Sequence, residues 1–167
     1  MKNILGLILA LAMVLAVGSA ALAIPAAAGE QGQWVLVGDY NTWWPGIEVG
    51  IGYAFSDSFT LGFLWEDSYN FFGGFATLSL DSFAASVAVY FDGAADYYGR
   101  AKAIYSFDLA QLTLGLGLGA DFTAIDSELL VEASASLALG KQLKLFGSAA
   151  YFFAGGFSYE AGLSAAF

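Results

Sequence analysis

The feature that most constrains this chain is a period-two alternation in which one face carries large apolar residues and the other small ones. Residues 47 to 55 set Ile47, Val49, Ile51, Tyr53 and Phe55 against Glu48, Gly50, Gly52 and Ala54. Residues 59 to 67 set Phe59, Leu61, Phe63 and Trp65 against Thr60, Gly62, Leu64 and Glu66. The cleanest example opposes Leu112, Leu114, Leu116 and Leu118 to Thr113, Gly115, Gly117 and Gly119. Successive side chains of a strand point to opposite faces, so this is strand patterning. Further segments fall at 33–40, 74–80, 83–91, 99–107, 128–139, 143–153 and 157–167, which makes ten. Turn residues separate them at 56–58, 81–82, 108–110 and 140–142, and at Asp81-Ser82 the parity slips, as a hairpin requires. Helix is the competing assignment for the Ala-rich stretches, but it does not produce period two over consecutive segments. The glycines at 115, 117 and 119 lack the spacing and following helix of a phosphate loop.

Parity also says which way the sheet faces. In a soluble barrel the large residues point inward and fill the core. Here the minor face is mostly Gly, Ala, Ser and Thr, too small to be the outside of a sheet on a large core, so the large residues face out. That suits lipid, where a closed barrel is the one sheet that satisfies all its backbone groups. Aromatics fall at the strand ends, with Trp34, Tyr53 and Tyr105 toward one end and Trp65, Phe91 and Tyr151 toward the other. Between them lie Leu, Val, Ile and Ala, an aliphatic band between two interface girdles. The expected fold is an all-β, transmembrane, antiparallel up-and-down barrel of ten strands. Eight is the alternative, because the 33–40 and 74–80 segments are weak.

Residues 1 to 28 are of another kind. Lys2 is their single charge, Ile4 to Val17 is apolar apart from one glycine, and small residues follow. This outline is a signal peptide, with cleavage after Ala23 or Ala28 and the barrel at 29–167. An uncleaved anchor over Ile4 to Ala23 is the other reading. Composition narrows the chemistry of the remainder. With no Cys and no His, there is no disulfide, imidazole base, or Ser-His or Cys-His nucleophile, and no cofactor or metal site is expected. Five Lys and Arg in a chain of formal charge -10 exclude nucleic acid as a partner.

At this point the chain resembles the small bacterial outer-membrane β-barrel proteins, a porin-like superfamily. The resemblance is one of pattern over the whole of 29–167. Its most specific element is the last strand, where Tyr159, Ala161, Leu163, Ala165 and the terminal Phe167 match the family's assembly signal. The resemblance implies Sec-type export to the periplasm of a Gram-negative cell and handling by periplasmic chaperones. It further implies insertion into outer-membrane lipid by the barrel assembly machinery. Both termini and the short turns would lie on the periplasmic side, with the connections at 41–46, 68–74, 93–98, 123–127 and 154–156 outside.

Most Asp residues sit at turns and strand ends, but Glu48, Glu66, Glu132 and Glu160 have inward parity, as do Arg100 and Lys102. On this topology they occupy the outer half of the lumen, with Asp39 nearby and Lys144 alone toward the periplasmic end. Acids on strands two, three and ten would face Arg100 and Lys102 across a barrel of roughly 10 Å radius. So small an inner face leaves a lumen either wet or filled by another segment such as 29–32. The expected function is a narrow, mildly cation-attracting pore for ions or small solutes. The alternative is a non-conducting structural or surface-binding barrel with a salt-bridged lumen, using Trp43, Trp44, Tyr69, Phe71, Phe72 and Tyr98 outside. An enzyme is not expected.

Overall fold

A computed structural model describes residues 29–42, 45–67, 70–91, 97–123 and 126–167. The expected signal peptide at 1–28 lies outside the described residues. Ten strands follow in order: β1 (Trp34–Asn41), β2 (Gly46–Ser56), β3 (Phe59–Glu66), β4 (Phe71–Leu80), β5 (Phe83–Phe91), β6 (Tyr97–Leu109), β7 (Leu112–Thr123), β8 (Ser127–Ala138), β9 (Leu143–Phe152) and β10 (Gly156–Ala166). Each pairs antiparallel with its sequence neighbours, and β1 pairs with β10, so the sheet is a closed up-and-down barrel of ten strands. The seam runs from Asn41↔Glu160 to Val35↔Ala166. It ends in a reciprocal pair of backbone hydrogen bonds, each 2.9 Å, between Trp34 and Phe167.

Two weak segments are full members of the ladder. The expected 74–80 strand is longer, because Phe71 pairs with Glu66 and Phe72 with Trp65; Gly73 and Gly74 hide this start by interrupting the apolar pattern. The 108–110 turn is also corrected. Asp108 pairs with Thr113 and Leu109 with Leu112, which leaves a two-residue turn with Ala110 at φ 60°. The other short turns are at 57–58, 81–82 and 139–142, at the end of the barrel that holds both described chain ends.

Outward parity is as the sequence implies. Phe63, Leu116, Leu118, Leu129, Phe153 and Phe157 are each more than 60% exposed on the outer wall. Soluble monomers rarely expose contiguous apolar patches beyond a few hundred Å², so a belt of this kind is a surface for hydrocarbon.

The inner face is less empty than its small residues suggest. Val35, Leu64, Phe75, Tyr90, Ile104, Leu130, Phe146 and Phe152 point inward and are buried. These rings and branched chains fill the lumen that Gly, Ala and Ser leave open. The 29–32 segment reaches it only at one end, where Gly29 lies against the inward Val35 side chain. It sits at the short-turn rim, where the Gly32 N–H donates to the Ala54 carbonyl at 2.8 Å and the Gln31 N–H to Asp57 at 2.8 Å. Glycine makes the inward filling possible. A Cβ on Gly62 would overlap the Ile51 carbonyl oxygen and the Phe75 ring, and would come within 2.6 Å of the Gly52 Cα. Strands β2 and β3 thus approach closely beneath that ring.

Gly62→Ala is expected to destabilise the barrel by about 1–3 kcal/mol through overpacking, read as a lower urea midpoint in lipid vesicles. Outward-facing Gly38, whose Cβ would meet only the Glu48 carbonyl oxygen at 4.0 Å, is expected to accept Ala within about 0.5 kcal/mol.

Candidate functional site: the charged lumen

Inward parity carries Asp39 (β1), Glu48 (β2), Glu66 (β3), Arg100 and Lys102 (β6), Asp121 (β7), Glu132 (β8) and Glu160 (β10) into the barrel, and all eight are buried. Six of these are acids and two are bases. Their pairing differs in part from the sequence expectation, which opposed the bases to strands two, three and ten. Arg100 instead meets Asp121, its direct cross-strand partner, through two parallel hydrogen bonds from Nε and one terminal nitrogen. Tyr98 donates to the same carboxylate at 2.8 Å. The guanidinium lies 5.3 Å from the Phe152 ring centroid and 5.8 Å from that of Tyr98, close enough for cation–π attraction. A bidentate, stacked geometry of this kind needs Arg and would not survive Lys.

Lys102 forms an ion pair with Glu132, although the two residues lie on strands separated by β7. In register Lys102 is opposite Gly119, and Glu132 is opposite Gly117. A Cβ on Gly119 would come within 3.2 Å of Lys102 Cγ. The glycine run is therefore the low track over which the lysine reaches β8.

The remaining acids are differently placed. Asp39 stands opposite Glu48, and Glu48 opposite Glu66, so three carboxylates occupy one cross-strand row. Directly opposed like charges repel. Tyr90 on β5 spans the lumen to donate to Glu48 at 2.5 Å. One oxygen each of Asp39, Glu48 and Glu160 remains buried without a hydrogen-bond partner among the described residues. Lys144 is exposed near the short turns.

Asp121, Tyr90 and Tyr98 are parts of this network that sequence reasoning missed. Asp121 shares the parity of Gly115, Gly117 and Gly119, and extending that parity by two residues finds it. Tyr98 was expected as an outer loop aromatic with Phe71, yet both belong to strands and pack against the lumen core. Trp43, Trp44 and Tyr69 lie outside the described residues.

A space of about 210 Å³ lies at the short-turn rim, lined by Gly29, Glu30, Val35, Lys144 and Ser164, and two others lie nearer the network. A cavity of about 250 Å³ opens at the short-turn end, with Asp81, Asp108 and Lys144 at its mouth and Glu132 and Glu160 at its depth. A small one of about 20 Å³ lies toward the other end, among Asn41, Glu48, Glu66, Phe71, Tyr90, Tyr98 and Arg100. The latter two share no lining residue.

Outside, Trp34 contacts Tyr53 at a ring-centroid distance of 5.3 Å, and Tyr53 contacts Phe55 at 5.0 Å, near the short-turn end. Tyr105 faces outward toward that end too. Tyr151 contacts Phe153 at 5.6 Å and Phe157 at 5.0 Å near the other end, where Trp65 and Phe91 also face outward. Tyr159, Ala161, Leu163 and Ala165 lie on the outer parity of β10, and Phe167 follows it at the seam.

No protein-family model matches the chain, and no curated protein matches it in sequence. Among solved structures it is similar to the de novo designed TMB2.3, at TM-score 0.52 and 13% identity, over 81% of this chain and 94% of that one. A structure described as de novo design of transmembrane β-barrels gives TM-score 0.42 and 16% identity over 84% and 99%. A triple mutant of the Rhodopseudomonas blastica porin gives 0.31 and 13%, over 73% of this chain and 55% of the porin. At these identities the likeness to TMB2.3 concerns the fold alone, and that fold is the transmembrane β-barrel.

Removing one partner of a buried pair leaves an uncompensated charge, at a cost of about 3–5 kcal/mol. Arg100→Met is expected to lower unfolding stability in vesicles by about that amount. Adding Asp121→Leu should recover most of the loss, because the stranded carboxylate is then gone.

Proposed function

We propose that this protein is a bacterial outer-membrane barrel that admits small cations through a narrow lumen. The observation that carries the proposal is the imbalance of six buried acids against two buried bases. A purely structural plug gains from matched charges, whereas a buried, unpaired carboxylate costs several kcal/mol. Cations drawn from water would supply that compensation at the carboxylate oxygens left without hydrogen-bond partners on Asp39, Glu48 and Glu160. An acidic ring in a confined channel concentrates counter-ions. The narrowness of the lumen restricts passage to ions and the smallest solutes.

The rest of the biology follows the same proposal. Residues 1–28 direct Sec-type export, with periplasmic chaperones carrying the chain to the barrel assembly machinery, which recognises Tyr159, Ala161, Leu163, Ala165 and Phe167. Trp34, Tyr53 and Tyr105 anchor one interface of the lipid, and Trp65, Phe91 and Tyr151 the other. The role is passive transport, with no catalytic step, cofactor or metal.

One observation favours a second reading. The Arg100–Asp121 and Lys102–Glu132 pairs, with Leu130 and Phe152 beside them, occupy the space between the two cavities. In that reading the lumen is closed and the barrel serves as a structural or surface-binding element.

Planar-bilayer recording separates the two. The refolded protein, shown to be folded by a mobility that differs between unheated and boiled samples, is expected to give small stepwise currents. Its reversal potential in a KCl gradient should favour cations. Glu48→Gln with Glu66→Gln should move that potential toward zero. Absence of steps, or a reversal potential that ignores the double substitution, would replace the pore with the closed barrel.

A further inference from the structure

The cavity at the short-turn end has the composition of a binding site. Its depth is formed by Glu132 and Glu160, and its walls by Ile104 and Phe146 together with the hydroxyl residues Ser134 and Ser148. The two acids at its depth differ in how they are compensated. Glu132 is ion-paired with Lys102. Glu160 is 1% exposed, and its Oε2 has no hydrogen-bond partner among the described residues. A buried carboxyl oxygen without a hydrogen-bond partner among the described residues therefore stands at the inner end of a space that is open at the other. Asp81 and Asp108 against Lys144 leave the mouth acidic as well, so a cation is favoured along the whole approach.

Size and lining narrow the ligand. At about 250 Å³ the cavity falls below the roughly 300–1,000 Å³ of pockets for drug-sized molecules. Buried Ile104 and Phe146 give part of the wall an apolar character that a bare inorganic ion does not use. A short alkyl chain does use it. We propose that this vestibule binds a primary ammonium group on a short alkyl chain, with the charge against Glu160 and the methylenes along Ile104 and Phe146. An ammonium offers three donors, which suits a carboxylate flanked by serine hydroxyls. The proposal rests on the barrel fold and the acidic lumen, but not on conduction.

The test is a titration of the full folded barrel, isotope-labelled in detergent micelles, with n-butylammonium chloride, followed by NMR. Saturable shifts are expected at Ile104, Ser134 and Ser148. They should be at least tenfold weaker in affinity for Glu160→Gln, and several-fold weaker for Glu160→Asp, which withdraws the carboxylate by one methylene. The aspartate variant keeps the test decisive should the glutamine variant fail to fold. Equal shifts from KCl at matched concentration would overturn the alkyl-ammonium assignment in favour of a simple cation site. Unsaturable shifts, or affinities indifferent to both substitutions, would overturn the site itself. A barrel that conducts without binding butylammonium rejects this site alone; one that binds without conducting rejects the pore alone.

Discussion

Every backbone N–H and C=O within hydrocarbon must find its partner in the protein, because no water is there to take its place and each orphan costs several kcal/mol. The rest of this structure depends on that constraint. It makes the β1–β10 seam as necessary as any hairpin, and the seam is continuous from Asn41 and Glu160 down to the reciprocal bonds of Trp34 and Phe167. Closure also fixes two populations of side chain by parity. Large residues go outward to the lipid, and whatever remains must fill or hydrate a cylinder of roughly 10 Å radius.

The inner population meets that demand in two ways. Glycines let rings lie against the wall, as Phe75 does over Gly62, and they let Lys102 cross β7 to reach Glu132. Charged residues are tied to their neighbours where a base is present, as Arg100 is to Asp121. Where no base remains, the carboxylates stand in excess. The same small residues that open the wall thus allow the polar network, in which six buried acids stand against two buried bases among the described residues.

Much of this was legible in the sequence. Parity pointed to the barrel, to ten strands with eight as the alternative, to the outward belt and to the inward position of Glu48, Glu66, Glu132 and Glu160, because period two survives in most segments. Strand ends were harder. Gly73 and Gly74 carry no side-chain signal, and Asp108 resembles a turn residue although it is still paired with Thr113. What fills the narrow lumen was less legible, since counting Gly and Ser per strand overlooks how far Phe75, Phe146 and Phe152 extend into it. Which base meets which acid depends on register and shear between strands. The inward position of Asp121 follows from the parity of the three glycines before it, whereas its pairing with Arg100 follows from register.

The large apolar face meets lipid and the small face lines the lumen. The chain has no cysteine, so single cysteines can be placed without background at each position from 112 to 119, spin-labelled, and examined in lipid vesicles for collision with oxygen. Accessibility is expected to alternate strictly, high at Leu112, Leu114, Leu116 and Leu118 and low at Thr113, Gly115, Gly117 and Gly119. The opposite phase, or a period near 3.6, would contradict that arrangement.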